Sequence, residues 1–360
     1  MNVRAARVAG RLWDGSAGGW RVLRQALAPA SVLYGGGVLG RNLAYRTGLL
    51  KARPVRARIV SVGNLRVGGM GKTPLTRWLA IEARARGVPV AIVSSGYSGR
   101  AREPHIAGDG TAVRSDVVTS GDEAMMLART AGVPVVVGRD RVAAAVLAVE
   151  AFGSRLLLCD DAFQHRRLRR DLDVVLIDAG ERGGVTRLLP TGPLREPLRA
   201  LARAHVVVVC ERDGAPDGAP PAAPGRLVVR ARFASVALVR STVAGWEEIG
   251  LAALAGQRVL AVSGVARPAP IYASLRDWEA DLVHVLEYPD HHPYEARDWQ
   301  AISQAAKDVD LVVTTEKDLV KLECFPFARG KLVALRLGVT LDEPAALLAR
   351  VLGASAGESL

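Results

Sequence analysis

The chain has 360 residues, 49% of them apolar, which is enough length and apolar content for two domains of ordinary size with a core in each. This composition excludes a disordered chain, and it excludes a polytopic membrane protein because no uninterrupted apolar run reaches the roughly 18 residues that cross a bilayer. Three widely separated cysteines without a CxxC pair indicate a reducing compartment rather than a disulfide scaffold or a thiolate zinc site.

The formal net charge of +12 is concentrated near the N-terminus. Residues 1–58 hold eleven basic side chains and one acid, Asp14, so this segment alone carries +10. Large apolar residues are interleaved with the arginines, a composition typical of a helix at a membrane interface. The pattern predicts a basic amphipathic N-terminal helical arm over residues 1–57 that either meets anionic headgroups or packs on the protein's own core. Arginines interrupt every candidate apolar stretch before Leu27, which argues against a cleavable signal peptide.

From Arg58 onward, short β-branched runs alternate with helical stretches, which predicts an α/β fold with a mostly parallel sheet. Residues 213–225 have no periodicity and are rich in Gly, Ala and Pro, so we place a boundary there between a domain over 58–225 and a smaller α/β domain over 226–360. Residues 226–239 alternate like an extended, hairpin-like connector, and we expect a cleft between the domains. The predicted strands are 59–62, 88–94, 133–137, 156–159, 174–177 and 206–209 in the first domain, and 259–263, 282–286, 311–314 and 332–335 in the second.

The first predicted strand runs into a glycine-rich turn and then a helical stretch, Leu75 to Arg84, which is the sequence pattern of a P-loop NTPase. In such a loop, backbone N–H groups converge on phosphates, Lys72 supplies charge to the β and γ phosphates, and the Thr73 hydroxyl contacts Mg²⁺. Arg66 occupies a position where the strict spacing has glycine, so the motif is a variant, and the alternative is a glycine-rich turn with an incidental Lys-Thr pair. The candidate nucleotide-binding residues are Gly68, Gly69, Met70, Gly71, Lys72 and Thr73.

Two aspartates, Asp160 and Asp161, follow the apolar strand 156–159 about ninety residues after the loop. A P-loop enzyme uses a carboxylate at this place to hold hydrated magnesium, so we predict a metal site of Thr73, Asp160 and Asp161. The alternative is an ordinary acidic turn at the end of a strand. His165, four residues further on, is either a turn residue or a catalytic one.

Two further groups of residues indicate acid/base chemistry. Asp122 and Glu123 precede a predicted helix over 124–131, where a helix N-cap is the structural alternative for Asp122. Asp290, His291 and His292 follow a predicted strand. Zinc is disfavoured there because no third cluster has metal-ligand spacing, whereas a base oriented by a carboxylate suits phosphoryl transfer to a hydroxyl.

These residues together resemble the tetraacyldisaccharide 4′-kinase family of lipid A biosynthesis, over essentially the whole chain. The markers of the resemblance are Ser61 to Asn64, Gly68 to Pro74, Gly121 to Glu123, Asp160 to His165, Leu188 to Pro197, Asp290 to His292 and Thr315 to Asp318. Two positions depart from the family's usual pattern, because Ser95 stands where an arginine is common and Ala162 where a glycine is common.

The resemblance implies that ATP and Mg²⁺ bind the loop and that Asp122 and His291 act together to activate the hydroxyl of an acylated glucosamine disaccharide 1-phosphate. Arg187 and Arg195 are candidates for neutralising phosphate charge. It also implies a peripheral enzyme at the cytoplasmic face of the inner membrane, attached to an anionic surface by the N-terminal arm and needing no obligate protein partner.

The main alternative is a membrane-recruited regulatory P-loop ATPase of the partitioning or positioning type. It explains the loop and the arm but gives Asp122 and His291 no role. A nucleic-acid-binding ATPase rests only on the calculated isoelectric point near 10.2, so no nucleic-acid partner is expected. The Glu316-Lys317-Asp318 run either contacts the adenine or is a solvated helix start.

Overall fold

The protein is described here by a computed structural model, which covers residues 8, 10, 12, 13, 18–179, 187–211, 225–242, 245–325 and 330–353. The predicted boundary stretch 213–225 lies outside these residues except for Gly225. The strands of the described residues are β1 Arg58–Asn64, β2 Val90–Ser94, β3 His105–Asp109, β4 Pro134–Val137, β5 Leu156–Asp160, β6 Leu172–Asp178, β7 Val206–Glu211, β8 Leu227–Thr242, β9 Gly245–Ile249, β10 Arg258–Ser263, β11 Asp281–Glu287, β12 Leu311–Thr315 and β13 Leu332–Leu341.

Among the described residues, α-helices lie in six of the twelve connections between consecutive strands, as crossovers between parallel strands require. The α-helices of the described residues are α1 Gly18–Ala26, α2 Ala28–Arg46, α3 Lys72–Ala85, α4 Val117–Ser120, α5 Asp122–Thr130, α6 Arg141–Phe152, α7 Ala269–Asp277, α8 Ala296–Ala305, α9 Glu316–Leu322 and α10 Pro344–Leu352. Short 3-10 turns lie at Leu198–Arg203, Leu251–Leu254 and Ala306–Asp308.

The strands form one mixed sheet in the order β11-β10-β12-β13-β8-β7-β6-β1-β5-β2-β4-β3, with β9 paired to β8 beside this path. β1 lies between β5 and β6 and is parallel to both, so its carboxyl end is flanked by two others. The register places Val62 of β1 opposite Asp160 of β5. The loop after β1 and the aspartates after β5 therefore meet at one edge of the sheet, as predicted.

Residues 226–239 do not form a hairpin, which corrects the expectation from their alternation. All of them except Arg226 belong to the single 16-residue strand β8, which pairs in parallel with β7 over its first six residues and antiparallel with β13 through most of its length. No Gly, Pro, Asn or Asp occurs between Arg226 and Val239, so nothing in this stretch favours a turn. The sheet is continuous from one half of the chain to the other through β8, and the division into two domains stays a prediction.

Apolar side chains fill both faces of the sheet. In the first half, Leu79 of α3 and Leu127 of α5 are buried on one face, while Ala144 of α6 lies in a separate cluster on the other. In the second half, Leu319 of α9 and Leu275 of α7 belong to two further clusters. This three-layer packing confirms the predicted α/β fold.

The basic arm contains α1 and α2, and α2 lies against the segment 188–196. The Ser31 hydroxyl is 2.7 Å from the Thr191 hydroxyl, Tyr34 Oη donates to the Arg195 carbonyl at 2.9 Å, and Asn42 donates to Glu196 at 3.0 Å. Only Gly35 and Val38 of α2 are buried. A row of large apolar side chains faces outward instead, and it consists of Val22, Leu23, Val32, Leu33, Leu39, Leu43, Leu49 and Leu50. Among the described residues, no helix has the length and apolar content needed to span a bilayer.

Candidate active site

The glycine-rich loop after β1 has the backbone conformation that its glycines permit. Gly68 has φ of 114° and Gly71 has φ of 83°, both in the left-handed region that disfavours other residues. A Cβ on Gly71 would also overlap the Phe233 ring, so both the backbone conformation and the available space require glycine at this position. Met70 is buried in the core, so its contribution to a phosphate site would be its backbone N–H.

α3 begins at Lys72 directly after this loop, so the first N–H groups of the helix face the loop. The Thr73 hydroxyl donates to Asp160 Oδ2 at 3.0 Å, and the Thr76 hydroxyl donates to Asp160 Oδ1 at 3.2 Å. Lys72 Nζ lies 3.4 Å from Asp161 Oδ1. The structure thus brings the predicted lysine, threonine and aspartate pair together at one end of the central strands.

The two aspartates differ in environment. Burial, together with the charges of Glu123 and Asp161, raises the pKa of Asp160 above its ordinary value. Burial acts in the same direction on Asp161, but the charges of Lys72 and Arg195 outweigh it and lower the pKa of Asp161. Asp161 has φ of 49°, a left-handed turn conformation, whereas Ala162, where a glycine is common in the family, has no positive φ.

Asp122 and His291, separated by 169 residues, are in direct contact. His291 Nδ1 lies 2.9 Å from both carboxylate oxygens of Asp122. Asp122 is the first residue of α5, and its helix is capped by Gly121, so the N-cap alternative is wrong. His291 has φ of 60° on the turn after β11, which directs its ring toward α5.

Asp122 receives several other donors. Its Oδ1 accepts from the Glu123 backbone N–H at 2.9 Å and from the Ser98 hydroxyl at 3.3 Å, and its Oδ2 lies 3.2 Å from Lys321 Nζ. Burial by itself would raise the pKa of Asp122. The hydrogen bond from His291 and the charges of Lys317 and Lys321 outweigh burial and hold that pKa well below its ordinary value. Asp122 is therefore a carboxylate at neutral pH.

The run Glu316-Lys317-Asp318 is not a solvated helix start. Glu316 and Asp318 are buried at the start of α9, and Lys321 is buried one turn later. Asp318 accepts from the Gly264 backbone N–H at 2.9 Å and pairs with Lys321 at 3.0 Å. These charges form an ionic network behind the Asp122–His291 pair, which the sequence pattern alone did not reveal.

The neighbouring histidine, His292, is not part of this pair. Its Nε2 contacts Asp298 at 2.7 Å, and Asp298 takes part in the capping box at the start of α8. The described residues contain no group of three or more His, Cys, Asp or Glu side chains that could hold a metal. His165 instead lines the cavity described next, and burial lowers its pKa.

A cavity of about 720 Å³ lies between α2 of the arm and the aspartates after β5. Four arginines and one carboxylate, Asp161, make its lining strongly positive. Arg195, one of the two predicted phosphate-binding arginines, is among them and contacts Asp161 at 3.0 Å, whereas Arg187 does not line it. The residues of the cavity are Tyr34, Gly37, Val38, Arg41, Ser95, Arg139, Arg141, Asp161, Gln164, His165 and Arg195.

Several of these residues were missed by the sequence analysis. Arg141 is almost fully buried at the start of α6 and donates to the backbone carbonyls of Asp160 and Gly138 at 3.0 and 3.1 Å. Arg41 contacts Glu196 at 3.6 Å. The sequence gives no signal for this role of Arg141, because an arginine is an ordinary residue in the first turn of a helix. Only the structure shows that Arg141 is buried beside Asp160, a predicted metal ligand.

A phosphate loop beside a carboxylate pair, with a buried carboxylate–imidazole pair next to them, is the arrangement of a P-loop phosphotransferase. The family model described as tetraacyldisaccharide-1-P 4′-kinase matches residues 23–355. The chain therefore belongs to the tetraacyldisaccharide-1-phosphate 4′-kinase family, whose members are phosphotransferases with an alcohol acceptor.

Similar proteins cover most of the chain. A tetraacyldisaccharide 4′-kinase from an Anaeromyxobacter species is 40% identical over 342 residues, 92% of each chain. One from Geobacter sulfurreducens is 38% identical over 304 residues, 84% of this chain and 85% of that protein. A crystal structure of Aquifex aeolicus LpxK in complex with ATP has a TM-score of 0.79 at 29% identity and covers 92% of this chain and 99% of that one.

Proposed function

We propose that the chain transfers the γ-phosphoryl group of ATP to the 4′-hydroxyl of a tetraacylated glucosamine disaccharide 1-phosphate. The observation that carries this proposal is the contact between Asp122 and His291 in a chain that also has a glycine-rich phosphate loop and belongs to a 4′-kinase family. A loop alone would support nucleotide hydrolysis. A paired carboxylate and imidazole next to it supports activation of an acceptor hydroxyl.

The nucleotide phosphates are held by the backbone N–H groups of Gly68, Gly69, Met70 and Gly71 together with Lys72 and Thr73. The ammonium group of Lys72 stays with the phosphoryl group as that group is transferred. Asp161, whose Oδ1 lies 3.4 Å from Lys72 Nζ, holds this ammonium group in place. Positioning of the nucleotide phosphates makes the main contribution to the rate, because the transition state of phosphoryl transfer is loose and requires little covalent chemistry from the protein.

The residues around Asp160 fit magnesium. This ion takes few protein ligands and keeps several waters and phosphate oxygens, so the hydroxyl of Thr73 and the carboxylates of Asp160 and Asp161 suffice as a donor set. Burial and the charges of Glu123 and Asp161 raise the pKa of Asp160 despite the nearby Lys72, and a bound divalent cation would offset them. When bound, the ion neutralises charge on the phosphate oxygens.

The acceptor hydroxyl is activated by Asp122 and His291 acting as a unit. Asp122 is ionised at neutral pH and is oriented by His291 and Lys321, so it does not need to lose a proton before it acts. A carboxylate with a lowered pKa is a weak base. A weak base is sufficient here, since proton transfer contributes modestly to a loose transition state.

The arginine-lined cavity suits the anionic headgroup of the acceptor. Arginine forks bind phosphate in two-pronged contacts, and Arg139 and Arg195 line this cavity next to Ser95. The apolar face of α2 forms the neighbouring surface, where acyl chains remain in the bilayer while the headgroup enters the cavity. We place the protein on this basis at the cytoplasmic face of the inner membrane, attached by its arm to anionic lipids.

ATP turnover with defined acceptors tests the proposal. Purified protein is given ATP, magnesium and anionic vesicles, with or without the tetraacylated disaccharide 1-phosphate, and the position of the new phosphate is determined by NMR. We expect turnover only with the lipid disaccharide and a product phosphorylated at the 4′ position. Turnover stimulated equally by plain vesicles would instead indicate the regulatory ATPase, and stimulation by DNA would indicate a nucleic-acid-dependent one.

A further inference from the structure

Lys317 contacts the ring nitrogen of His291 that faces away from Asp122. Its Nζ lies 3.0 Å from His291 Nε2, 2.6 Å from Asp290 Oδ1 and 3.8 Å from Glu123 Oε1. The lysine side chain is mostly buried, and it stands in the first turn of α9, on the opposite half of the sheet from α5. The contact therefore joins the two halves of the chain at the catalytic pair.

The chemistry of this contact determines where the imidazole proton sits. A lysine ammonium has three hydrogen-bond donors and no acceptor, so His291 Nε2 must be the acceptor. The ring proton of the neutral imidazole is then on Nδ1, which points between the two carboxylate oxygens of Asp122 at 2.9 Å. In the other tautomer, a lone pair on Nδ1 would face a carboxylate and an N–H on Nε2 would face an ammonium.

Lys317 retains its charge at working pH. Burial lowers the pKa of Lys317, but the charges of Glu123, Asp122 and Asp290 outweigh burial and raise that pKa above its ordinary value. The ammonium is therefore a permanent donor to His291 Nε2. Lysine suits this place because its compact head can donate separate hydrogens to Asp290 and to His291.

The surroundings of His291 make this cation necessary. Carboxylates face the ring from two elements, Asp122 from α5 and Asp290 from the ring's own turn, while Glu123 of α5 contacts Lys317. The cations near it are Lys317 and, behind Asp122, Lys321 on α9, while Tyr97 meets the ring edge-on with 4.8 Å between centroids. Without Lys317, two carboxylates would face the imidazole with no cation on its Nε2 side and would favour the imidazolium ion.

We propose that Lys317 is a positioning residue that holds His291 as a neutral ring with its proton on Nδ1, so that Asp122 receives a hydrogen bond throughout the reaction. The proton assignment stands on the contacts alone, while its catalytic meaning rests on the proposed function. Lys317 acts through His291 and does not itself remove the acceptor proton.

Nitrogen-15 NMR of the full chain labelled at histidine reads this proton directly. The chain has six histidines, and a His291→Gln variant identifies the signals of His291 by their loss. In the wild type we expect a protonated Nδ1 and an unprotonated Nε2. Lys317→Met should give an imidazolium signal or a mixture of tautomers near neutral pH, while Lys307→Met, the same change at an exposed lysine, should leave the signals unchanged.

A second variant separates the donor from the charge. Lys317→Gln keeps an N–H donor for Nε2 but removes the positive charge, so the tautomer should be retained when the ring is neutral. The acidic limb of the kcat profile should move to higher pH in both Lys317 variants, because loss of the Lys317 charge favours the imidazolium and also raises the pKa of Asp122, while KM for ATP stays unchanged. Thermal melting checks that both variants are folded.

The outcomes distinguish this proposal from the proposed function. A wild-type His291 with its proton on Nε2, or folded Lys317→Met with unchanged ring signals and an unchanged kcat profile, would overturn the role of Lys317. If the wild type gives the expected NMR signals but does not phosphorylate the lipid disaccharide, the proposed function is wrong and the proton assignment remains.

Discussion

Lysine is rare in this chain, where only six of the 48 basic residues are lysines, and three of the six lie in the candidate site. Lys72 lies beside the phosphate loop, and Lys317 and Lys321 lie around the Asp122–His291 pair. The positive charges of the cavity come from arginines, whose planar guanidinium groups can bind an anion through two parallel hydrogen bonds. Each of the three lysines instead places a compact charge against one or two defined carboxylates, which a guanidinium would not fit as closely.

Lys72 is expected to be essential for phosphoryl transfer. Lys72→Ala should lower kcat at least a hundredfold, because the ammonium stabilises charge on the transferred phosphoryl group. Loss of the 3.4 Å contact to Asp161 should cost little stability, since Asp161 keeps its contact with Arg195. Kinase assays and thermal melting are compared with Lys307→Ala as a matched control at an exposed lysine. A folded Lys72→Ala protein with near wild-type turnover would contradict the assignment of the phosphate loop.

The second prediction concerns Asp122 and His291 as a unit. Asp122→Asn and His291→Gln should each lower kcat roughly 10²- to 10⁴-fold, the range typical of general acid and base groups. Because the two groups share one hydrogen bond, the double variant should be little worse than the more damaged single variant. ATP affinity, measured by calorimetry, should change little in all three. Fully additive losses, or a matching drop in ATP affinity, would mean that the two residues act separately.

At the scale of the elements, all ten strands predicted from the sequence correspond to strands of the sheet, because most of them are continuous apolar runs buried on both faces. The two missed strands, β3 and β9, lie at the margins of the sheet. β3 contains His105 and Gly108 and pairs irregularly with β4, and β9 contains two exposed glutamates. Short edge strands that contain polar residues lack a hydrophobic periodicity, so their sequences cannot be distinguished from those of loops.

The element that the sequence predicted least well is α9, whose charges looked like those of a solvated helix start. Its buried Glu316 accepts from Arg77 of α3 at 2.8 Å and from Arg336 of β13 at 2.7 Å. Arg77 also donates to the backbone carbonyl of Leu337. This pairing connects the helix after the phosphate loop with the second half of the chain, and its partners are separated by more than 200 residues in the sequence.

The prediction for this element is a loss of stability. Glu316→Gln leaves the buried Arg77 without a compensating charge, whereas Arg336 keeps its contact with Glu248, and the change should lower the free energy of unfolding by about 3 kcal/mol. The same change at the exposed Glu247 should have little effect. Urea denaturation followed by circular dichroism measures both. Equal effects of the two changes would mean that the Glu316 pairing contributes nothing to stability.

For the molecule as a whole, the phosphate loop and the aspartates after β5 were predictable, since each lies at the end of a strand with a known role in P-loop proteins. The pairing of Asp122 with His291 was implied only by resemblance to a family. Their contact depends on β8, which carries the sheet from the first half into the second and brings the turn after β11 against α5. Sequence spacing does not contain this information, because the register of a long strand with two different partners is set by tertiary packing.

The arm provides the last prediction. Val32 and Leu33 of α2 are 72% and 77% exposed, while the opposite side of the helix contacts the segment 188–196. If this face enters the acyl boundary, each large apolar side chain contributes about 1.5 kcal/mol to membrane binding. Replacing both by serine should therefore reduce association with anionic vesicles at least tenfold and raise KM for the lipid acceptor, with KM for ATP and the melting temperature unchanged.

Vesicle sedimentation and steady-state kinetics measure these effects, with Val236→Ser as the control, because Val236 is 57% exposed on β8 away from the arm. Added salt should weaken the binding that remains in the double variant, since an attraction between basic side chains and anionic lipids is screened by salt. If the fraction of protein bound to vesicles does not change, the apolar face of α2 does not bind the membrane. A lower melting temperature would show that Val32 and Leu33 contribute to the folded core instead.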